Sequence, residues 1–201
     1  MVKNEFAAHG RCPRFEFMEE FAPQLAPTLR AAGFTEEARQ QLMVCTSDTR
    51  RPTPEVLGLT IDHLSNSSTV SEMQEYITVQ HRGFDFLSKE VVTESESEQF
   101  LRMMDGGRAY VARIKGESVG VGMYTAPFDG IAEVLGVATL EPFRRRGIAT
   151  ALTTLAVQRA LEEGVEVICL TAADEHAGRV YERVGFIKYA TMLAYIGSLH
   201  T

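Results

Sequence analysis

Apolar and polar residues alternate through LGLTIDHL, Leu57 to Leu64, and a period of two predicts a strand. Thr69 and Glu72 then stand three apart ahead of an apolar run, a capping box that predicts a helix over about 70–77. HRGFDF and the Ser/Glu-rich VVTESESEQ read as loop, and a second helix is expected from about Glu96 to Met104, broken by Asp105-Gly106-Gly107. AYVARI and SVGVGMYT flank a tight KGE turn and predict a hairpin; Asp129-Gly130 is a further turn into the strand IAEVLGVAT. After Gly147 the period changes. Ile148, Leu152, Leu155 and Ala156 recur at helical spacing, and that helix runs to about Glu163-Gly164. VEVICLT is a buried strand, the segment from about Glu175 to Val184 a helix ended by Gly185, and IKYATMLAYI a closing strand. The order from Leu57 predicts an α/β fold, a mixed sheet with helices on its faces. Strand order cannot be read from periodicity.

The first fifty-five residues are set apart. They read as a strand (RFEFM), a helix over about 23–32 and a strand (QQLMVCT), followed by Arg50-Arg51-Pro52-Thr53-Pro54, a linker because proline continues neither element well. Two domains are therefore expected, an extension over 1–55 and the main domain over 56–201. Leu29-Arg30-Ala31-Ala32-Gly33-Phe34 echoes Tyr181-Glu182-Arg183-Val184-Gly185-Phe186 in spacing. Either both simply end a helix in Gly-Phe, or the extension is the remnant half of a duplicated domain.

Composition narrows the function. A formal net charge of −7 removes any global footprint for nucleic acid. Cys12, Cys45 and Cys169, odd in number and widely spaced, argue against a disulfide framework or a zinc site, and a reducing cytoplasm fits them. The N-terminus has no apolar core of a signal peptide, and no apolar run is long enough to span a bilayer.

Against that acidic background FRRRGIAT, Phe143 to Thr150, concentrates positive charge. A strand precedes it, Pro142 leads in, and a helix starts at or just after Gly147. A helix N-terminus offers unpaired N–H groups and the positive end of its dipole, and Gly147 and Ala149 let a ligand approach the backbone. The position predicts a phosphate or pyrophosphate site rather than a solvated arginine cluster. Neither a Walker loop nor a dinucleotide fingerprint is present.

Arg144-x-x-Gly147-x-Ala149 resembles the signature of the GNAT superfamily of acyl-CoA-dependent N-acyltransferases, and VLGVATLEPFRRRGIATALT resembles its fourth strand, pyrophosphate loop and following helix. AGRVYERVGF is similar to its next helix; the likeness covers roughly Leu57 to Ile196. It implies a mixed, mainly antiparallel central sheet flanked by helices. It also implies acetyl-CoA as co-substrate, with Arg145, Arg146, Gly147, Ile148, Ala149 and Thr150 at its pyrophosphate and Arg144 at the edge. The family's usual Asn before the tyrosine is Asp174 here; the likeness implies that this position binds the cofactor's pantetheine arm or supports the loop, and Asp174 can accept hydrogen bonds there but offers no amide N–H.

Acyl transfer to an amine requires removing a proton from the amine, donors for an oxyanion and a proton for the leaving thiolate. Gly136 within VLGVA marks a bulge or a close backbone approach. The likeness implies that backbone groups of Val137, Ala138 and Thr139 pair with pantetheine and polarise the thioester carbonyl. Tyr181 is the candidate acid, since a phenol with a pKa of about 10 is reasonably matched to an alkyl thiolate; the alternative is a packing aromatic. Glu133, interrupting an apolar strand, is the candidate base, directly or through water; the alternative is a surface residue. Tyr189 and Tyr195 are expected to pack or to line the acceptor pocket, Glu141 to be structural and Cys169 to be inert core. His63 and His81 could reach an acceptor site, though a lone histidine is more often a surface or core residue. No metal cluster and no activated nucleophile is evident, so direct attack in a ternary complex is expected.

The expected partner is a primary amine on a small molecule or a protein, chosen by residues 77–94 and 189–200, with no nucleic acid and no membrane. Glu94, Glu96, Glu98 and Asp129 would favour a cationic amine, unless they are merely solvated. The extension would either extend the domain or mediate association, as in a homodimer, by adding a strand at a sheet edge. A CoA-binding sensor without turnover is the alternative, and an anion- or nucleic-acid-binding module on the arginines a further one.

Overall fold

The computed structural model describes residues 5–6, 8–52, 54–65 and 67–198. Thr53 of the expected linker and residues 199–200 of the expected acceptor region lie outside them. The chain forms two compact units: Val44–Leu170 with Arg179–Ile187, and Met1–Met43 with Thr171–Gly178 and Lys188–Thr201.

The larger unit begins with β3 (Leu59–Leu64), numbered after two strands of the smaller one, β1 (Arg14–Met18) and β2 (Phe34–Cys45). Two helices follow, α2 (Val70–Phe84) and α3 (Glu94–Met103), α1 (Leu25–Ala31) being in the smaller unit. Then come β4 (Arg108–Ile114), β5 (Glu117–Tyr124), β6 (Ile131–Thr139), a short 3₁₀ turn (Glu141–Phe143), α4 (Ile148–Glu162) and β7 (Val167–Ala172). The order of element types from Leu59 is the one the hydrophobic pattern predicts.

Two boundaries differ, for physical reasons. Thr69 caps α2 as expected, accepting from the Glu72 N–H at 3.2 Å while Glu72 Oε2 accepts from the Thr69 N–H at 2.7 Å. The helix, however, does not stop near Ile77. It continues through HRGF to Phe84, because Val79 and Gly83 are buried and hold that turn against the sheet. Likewise α3 starts at Glu94, inside the expected loop, where Thr93 accepts from the Glu96 N–H at 3.2 Å. A polar composition conceals a helix whose cap and first-turn acids suit its N-terminus.

Strands β3, β4, β5 and β6 pair antiparallel in that order. The β4–β5 hairpin turns at Lys115 and Gly116, with φ of 52° and 82°, as a tight primed turn requires. Beside β6, β7 runs parallel, but the pairing covers only Ile131↔Val167, Ala132↔Ile168 and Glu133↔Cys169. Beyond Glu133, β6 continues for six residues without β7. On β5 the register also shifts: Val121 faces Ala138 and Met123 faces Leu135, so two residues, Gly136 and Val137, stand opposite Gly122. That is a β-bulge.

Helices α2 and α3 cover one core, in which Met73, Tyr76, Ile77 and Met104 pack on Val111, Val121 and Ala138. Helix α4 is buried at nine of its fifteen positions, so it reads as apolar nearly all round. Gly120 admits it closely: a Cβ there would lie 3.1 Å from Ile148 Cγ2 and 3.2 Å from Leu152 Cδ1.

In the smaller unit β8 (Ile187–Gly197) lies between β1 and β2, pairing antiparallel with β1 from Arg14↔Ile196 to Met18↔Met192. β2 starts at Phe34, six residues before QQLMVC, since Phe34 itself is core. Ala26, Leu29, Phe34, Leu193 and Tyr195 form that core, with Phe15 edge-on to Phe34 at 5.4 Å. The sheets are mixed and mainly antiparallel, as expected. In each of the two echoing segments a helix ends, a glycine takes positive φ (76° at Gly33, 112° at Gly185), and Phe and a strand follow.

Candidate active site

The arginine–glycine segment is a loop between β6 and α4, as expected. After the 3₁₀ turn Arg144 is extended (φ −62°, ψ 160°), Arg145 is left-handed (φ 61°) and Gly147, the N-cap of α4, is left-handed again (φ 83°). Left-handed residues interspersed in a tight loop turn successive N–H groups inward and make an anion-binding concavity. No side chain caps α4, so its first-turn amides stay available. Local backbone therefore fits an anion, independently of side-chain charge.

The three arginines do different work. Arg144 donates from Nε to the Thr139 carbonyl at 3.1 Å and from an NH2 nitrogen to the Gly83 carbonyl at 2.6 Å, tying the end of α2 to the end of β6. A Cβ on Gly83 would sit 2.7 Å from Ala138 Cβ, so the two elements touch there. Arg146 donates to the Pro142 carbonyl at 3.0 Å and lies over the Phe143 ring at 5.1 Å, bracing the loop from inside. Among the described residues no hydrogen bond or ion pair engages the Arg145 side chain. The resemblance puts Arg144 at the edge of the site and Arg145 and Arg146 together at the pyrophosphate; the bonding separates these two.

Val137, in the bulge, and Ala138 and Thr139 beyond it form the end of β6, where β7 no longer pairs. The Thr139 hydroxyl is buried without a partner, next to the loop. Ile148 and Thr150 are buried in the first turn of α4, and Ala149 lies between them.

Glu133 is at the last β6–β7 pair, on the solvent-facing side of β6 with Ile131 and Leu135. Its N–H donates to Thr125 Oγ1 at 3.0 Å. Beside it Cys169 is half-buried rather than inert core, and burial, then the neighbouring Glu133 charge, raises its thiol pKa. That suits a resting thiol and not a nucleophile.

Tyr181 lies in the last turn of α5 (Glu175–Glu182), edge-on to Phe186 at 6.0 Å. Burial raises its phenol pKa. Among the described residues no hydrogen bond or ring contact joins it to residues 144–150. Asp174 belongs to the smaller unit, and its carboxylate accepts from the Ala177 N–H at 2.8 Å, capping α5. Tyr195 is fully buried and donates to Glu36 at 2.9 Å; Tyr189 is exposed and stacks on Phe21 at 6.1 Å, so both pack within their own unit. His81 faces Glu90 at 3.3 Å and Glu96 at 3.8 Å; His63 sits 5.7 Å from the Tyr110 ring. Glu141 opens the 3₁₀ turn, and its backbone carbonyl accepts from the Arg144 N–H at 3.2 Å.

The sequence profile of the acetyltransferase (GNAT) family matches residues 72–186. The chain belongs to the GNAT family. It is similar to an N-alpha-acetyltransferase MAK3 of Arabidopsis thaliana, 33% identical over 93 residues, 43% of this chain and 48% of that protein. It thus spans about half the length of this curated relative. A GCN5-related N-acetyltransferase from Kribbella flavida superposes with a TM-score of 0.79 at 26% identity, covering 98% of this chain and 72% of that one. A tandem GNAT protein from the clavulanic acid biosynthesis pathway superposes over 100% of this chain and 68% of its own, with a TM-score of 0.74 at 15% identity. The last likeness shows the fold alone. The family's general chemistry is acyl transfer from an acyl-CoA donor. Among the described residues no group of three or more His, Cys, Asp or Glu side chains could hold a metal, and no helix is long and apolar enough to cross a membrane.

Proposed function

We propose that the protein is an N-acetyltransferase that moves the acetyl group of acetyl-CoA to a primary amine by direct attack in a ternary complex. The observation that carries this is the junction of three features on one strand: the β6 bulge, the end of β7 pairing at Glu133, and the loop that opens into an uncapped α4. The first-turn amides of Ile148, Ala149 and Thr150, with the Arg145 and Gly147 backbone, hold the pyrophosphate, and the Arg145 guanidinium supplies charge to it. Arg144 and Arg146 hold the loop in shape. Backbone groups of Val137 to Thr139, freed from β7, take the pantetheine arm, and a strand N–H there polarises the thioester carbonyl.

Glu133 removes the amine proton, directly or through water. Tyr181 gives a proton to the departing thiolate. Its raised pKa keeps it protonated at neutral pH, so the rate it supports is present there and falls as pH rises through that raised pKa. Asp174, already capping α5, contributes by fixing that helix. Residues 1–55 form an extension outside a transferase domain of 56–201. The recurrence of helix, glycine, phenylalanine and strand supports a remnant half-repeat, and one structural neighbour is itself a tandem GNAT protein.

Calorimetry with acetyl-CoA tests the donor site. Wild type is expected to bind saturably and Arg145→Ala about tenfold more weakly, the effect of losing one charge-assisted contact. No binding at millimolar ligand would end the reading. An amine screen following CoA release then tests turnover. With an accepted amine, Tyr181→Phe is expected to lower kcat about a hundredfold and leave acetyl-CoA affinity unchanged. Binding without turnover of any amine would select the sensor alternative.

A further inference from the structure

Bulges leave a backbone group outside the ladder, and a bulge that must present an N–H needs something to hold it. At Gly136, φ is +64°, a conformation open to glycine and strained for other residues. Its carbonyl is met by a side chain from another element: Gln80 Nε2, on α2, donates to the Gly136 oxygen at 3.3 Å. The same Nε2 lies 3.4 Å from the hydroxyl of Tyr76, one turn earlier and fully buried. The fit is close on both sides, since a Cβ at position 136 would stand 2.3 Å from Gln80 Nε2. Further along the same contact Gly83 abuts Ala138, and Arg144 bridges Gly83 and Thr139. The C-terminal half of α2 is therefore a splint laid along residues 136–139, with Gln80 at the bulge itself.

We infer that Gln80 is a positioning residue for acyl transfer, setting through the Gly136 carbonyl the direction in which the Val137 segment presents its N–H to the thioester. This rests on the proposed acetyl-CoA site. It adds a residue that the loop signature does not contain, on a helix with no place in that signature. Peptide units are planar, so fixing the Gly136 carbonyl fixes the Val137 N–H on the same unit. Gln80 acts through the backbone and does not touch the donor. Without its amide the carbonyl loses a partner in a half-buried site, and the peptide is free to rotate toward water.

Gln80→Met keeps length and removes the donor; Gln80→Glu keeps shape and sets an acceptor against the carbonyl at neutral pH. The first readout needs no turnover. With acetyl-CoA labelled with ¹³C at the acetyl carbonyl, the bound wild type is expected to show that band shifted to lower frequency by the strand N–H. Both variants are expected to lose most of the shift while binding acetyl-CoA within about threefold of wild type, because the pyrophosphate loop is untouched. In the free protein, hydrogen exchange at the amides of 135–137 is expected to speed up at least tenfold. With an accepted amine, kcat is expected to fall tenfold or more with the KM for acetyl-CoA within threefold.

Either variant retaining the full carbonyl shift and wild-type kcat overturns the inference. So does a parallel loss of affinity and rate in a variant whose thermal unfolding matches wild type, since a general disturbance of the site would do that. Should one substitution prevent folding, the other carries the test. A wild type that fails to bind acetyl-CoA would instead remove the transferase reading, a different result from a band that ignores Gln80.

Discussion

Gly185→Ala is expected to lower the unfolding free energy by about 2–5 kcal/mol and Tm by about 4–20 °C, at 2–4 °C per kcal/mol for a chain of this size. Two costs add. At φ 112° an alanine is strained by about 1–2 kcal/mol. Its Cβ would also stand 2.1 Å from the Thr49 carbonyl oxygen and 2.9 Å from Arg50 Cα, and these are backbone atoms that cannot rotate aside. Relieving the contact means pushing the 49–51 segment away, which strains the bond from the Arg51 N–H to the Val184 carbonyl, 2.8 Å, and costs about 1–3 kcal/mol as overpacking. Gly164→Ala is the control, with φ 90° and nothing within 4 Å of the added carbon. It should carry the backbone term alone, about 1–2 kcal/mol. Calorimetric unfolding of the two variants checks this, and equal losses would show that the Thr49 contact is unimportant.

Gly147→Val is expected to weaken acetyl-CoA binding about a thousandfold and to leave the fold intact. The added Cβ would meet only Val56 Cγ2, at 3.4 Å, so no clash threatens the core. The difficulty is φ of 83° at the N-cap, which a β-branched residue does not accept. Strain of about 1–2 kcal/mol would turn the loop out of its inward-facing form, and the first-turn amides of α4 would lose their common direction. Loss of charge-assisted bonds to a pyrophosphate is worth about 2–3 kcal/mol more, and about 4 kcal/mol in all is a thousandfold in affinity. Titration calorimetry with acetyl-CoA gives the ratio directly, with circular dichroism confirming the fold. A variant that bound within tenfold of wild type would place the pyrophosphate somewhere other than the α4 N-terminus.

Much of this protein is written locally. The order of elements from Leu59, the Thr69–Glu72 cap, the Lys115-Gly116 and Asp129-Gly130 turns and the loop before α4 all follow from neighbours within a few residues, where period, capping and φ preference act. The glycine bulge in VLGVA and the expectation of an anion-binding loop belong to the same class. The extent of α2 was nearly legible: Met73, Tyr76, Ile77, Gln80 and Phe84 keep helical spacing, but the polar HRG obscured it.

What the tertiary structure decided is which groups are already engaged. Arg144, Arg145 and Arg146 are alike in sequence, yet Arg144 is bound to two carbonyls, Arg146 lies on Phe143, and the Arg145 side chain makes no such bond. Gln80 had no local signal, because its partner is 56 residues away. Cys169 reads as core in an apolar strand, but it is only partly buried, at the last pair before β7 parts from β6. Local propensity follows from each residue's own backbone and its near neighbours. A hydrogen-bond partner brought in from another element, or the place where two strands separate, depends on packing across the sheet, and no period along the chain encodes it.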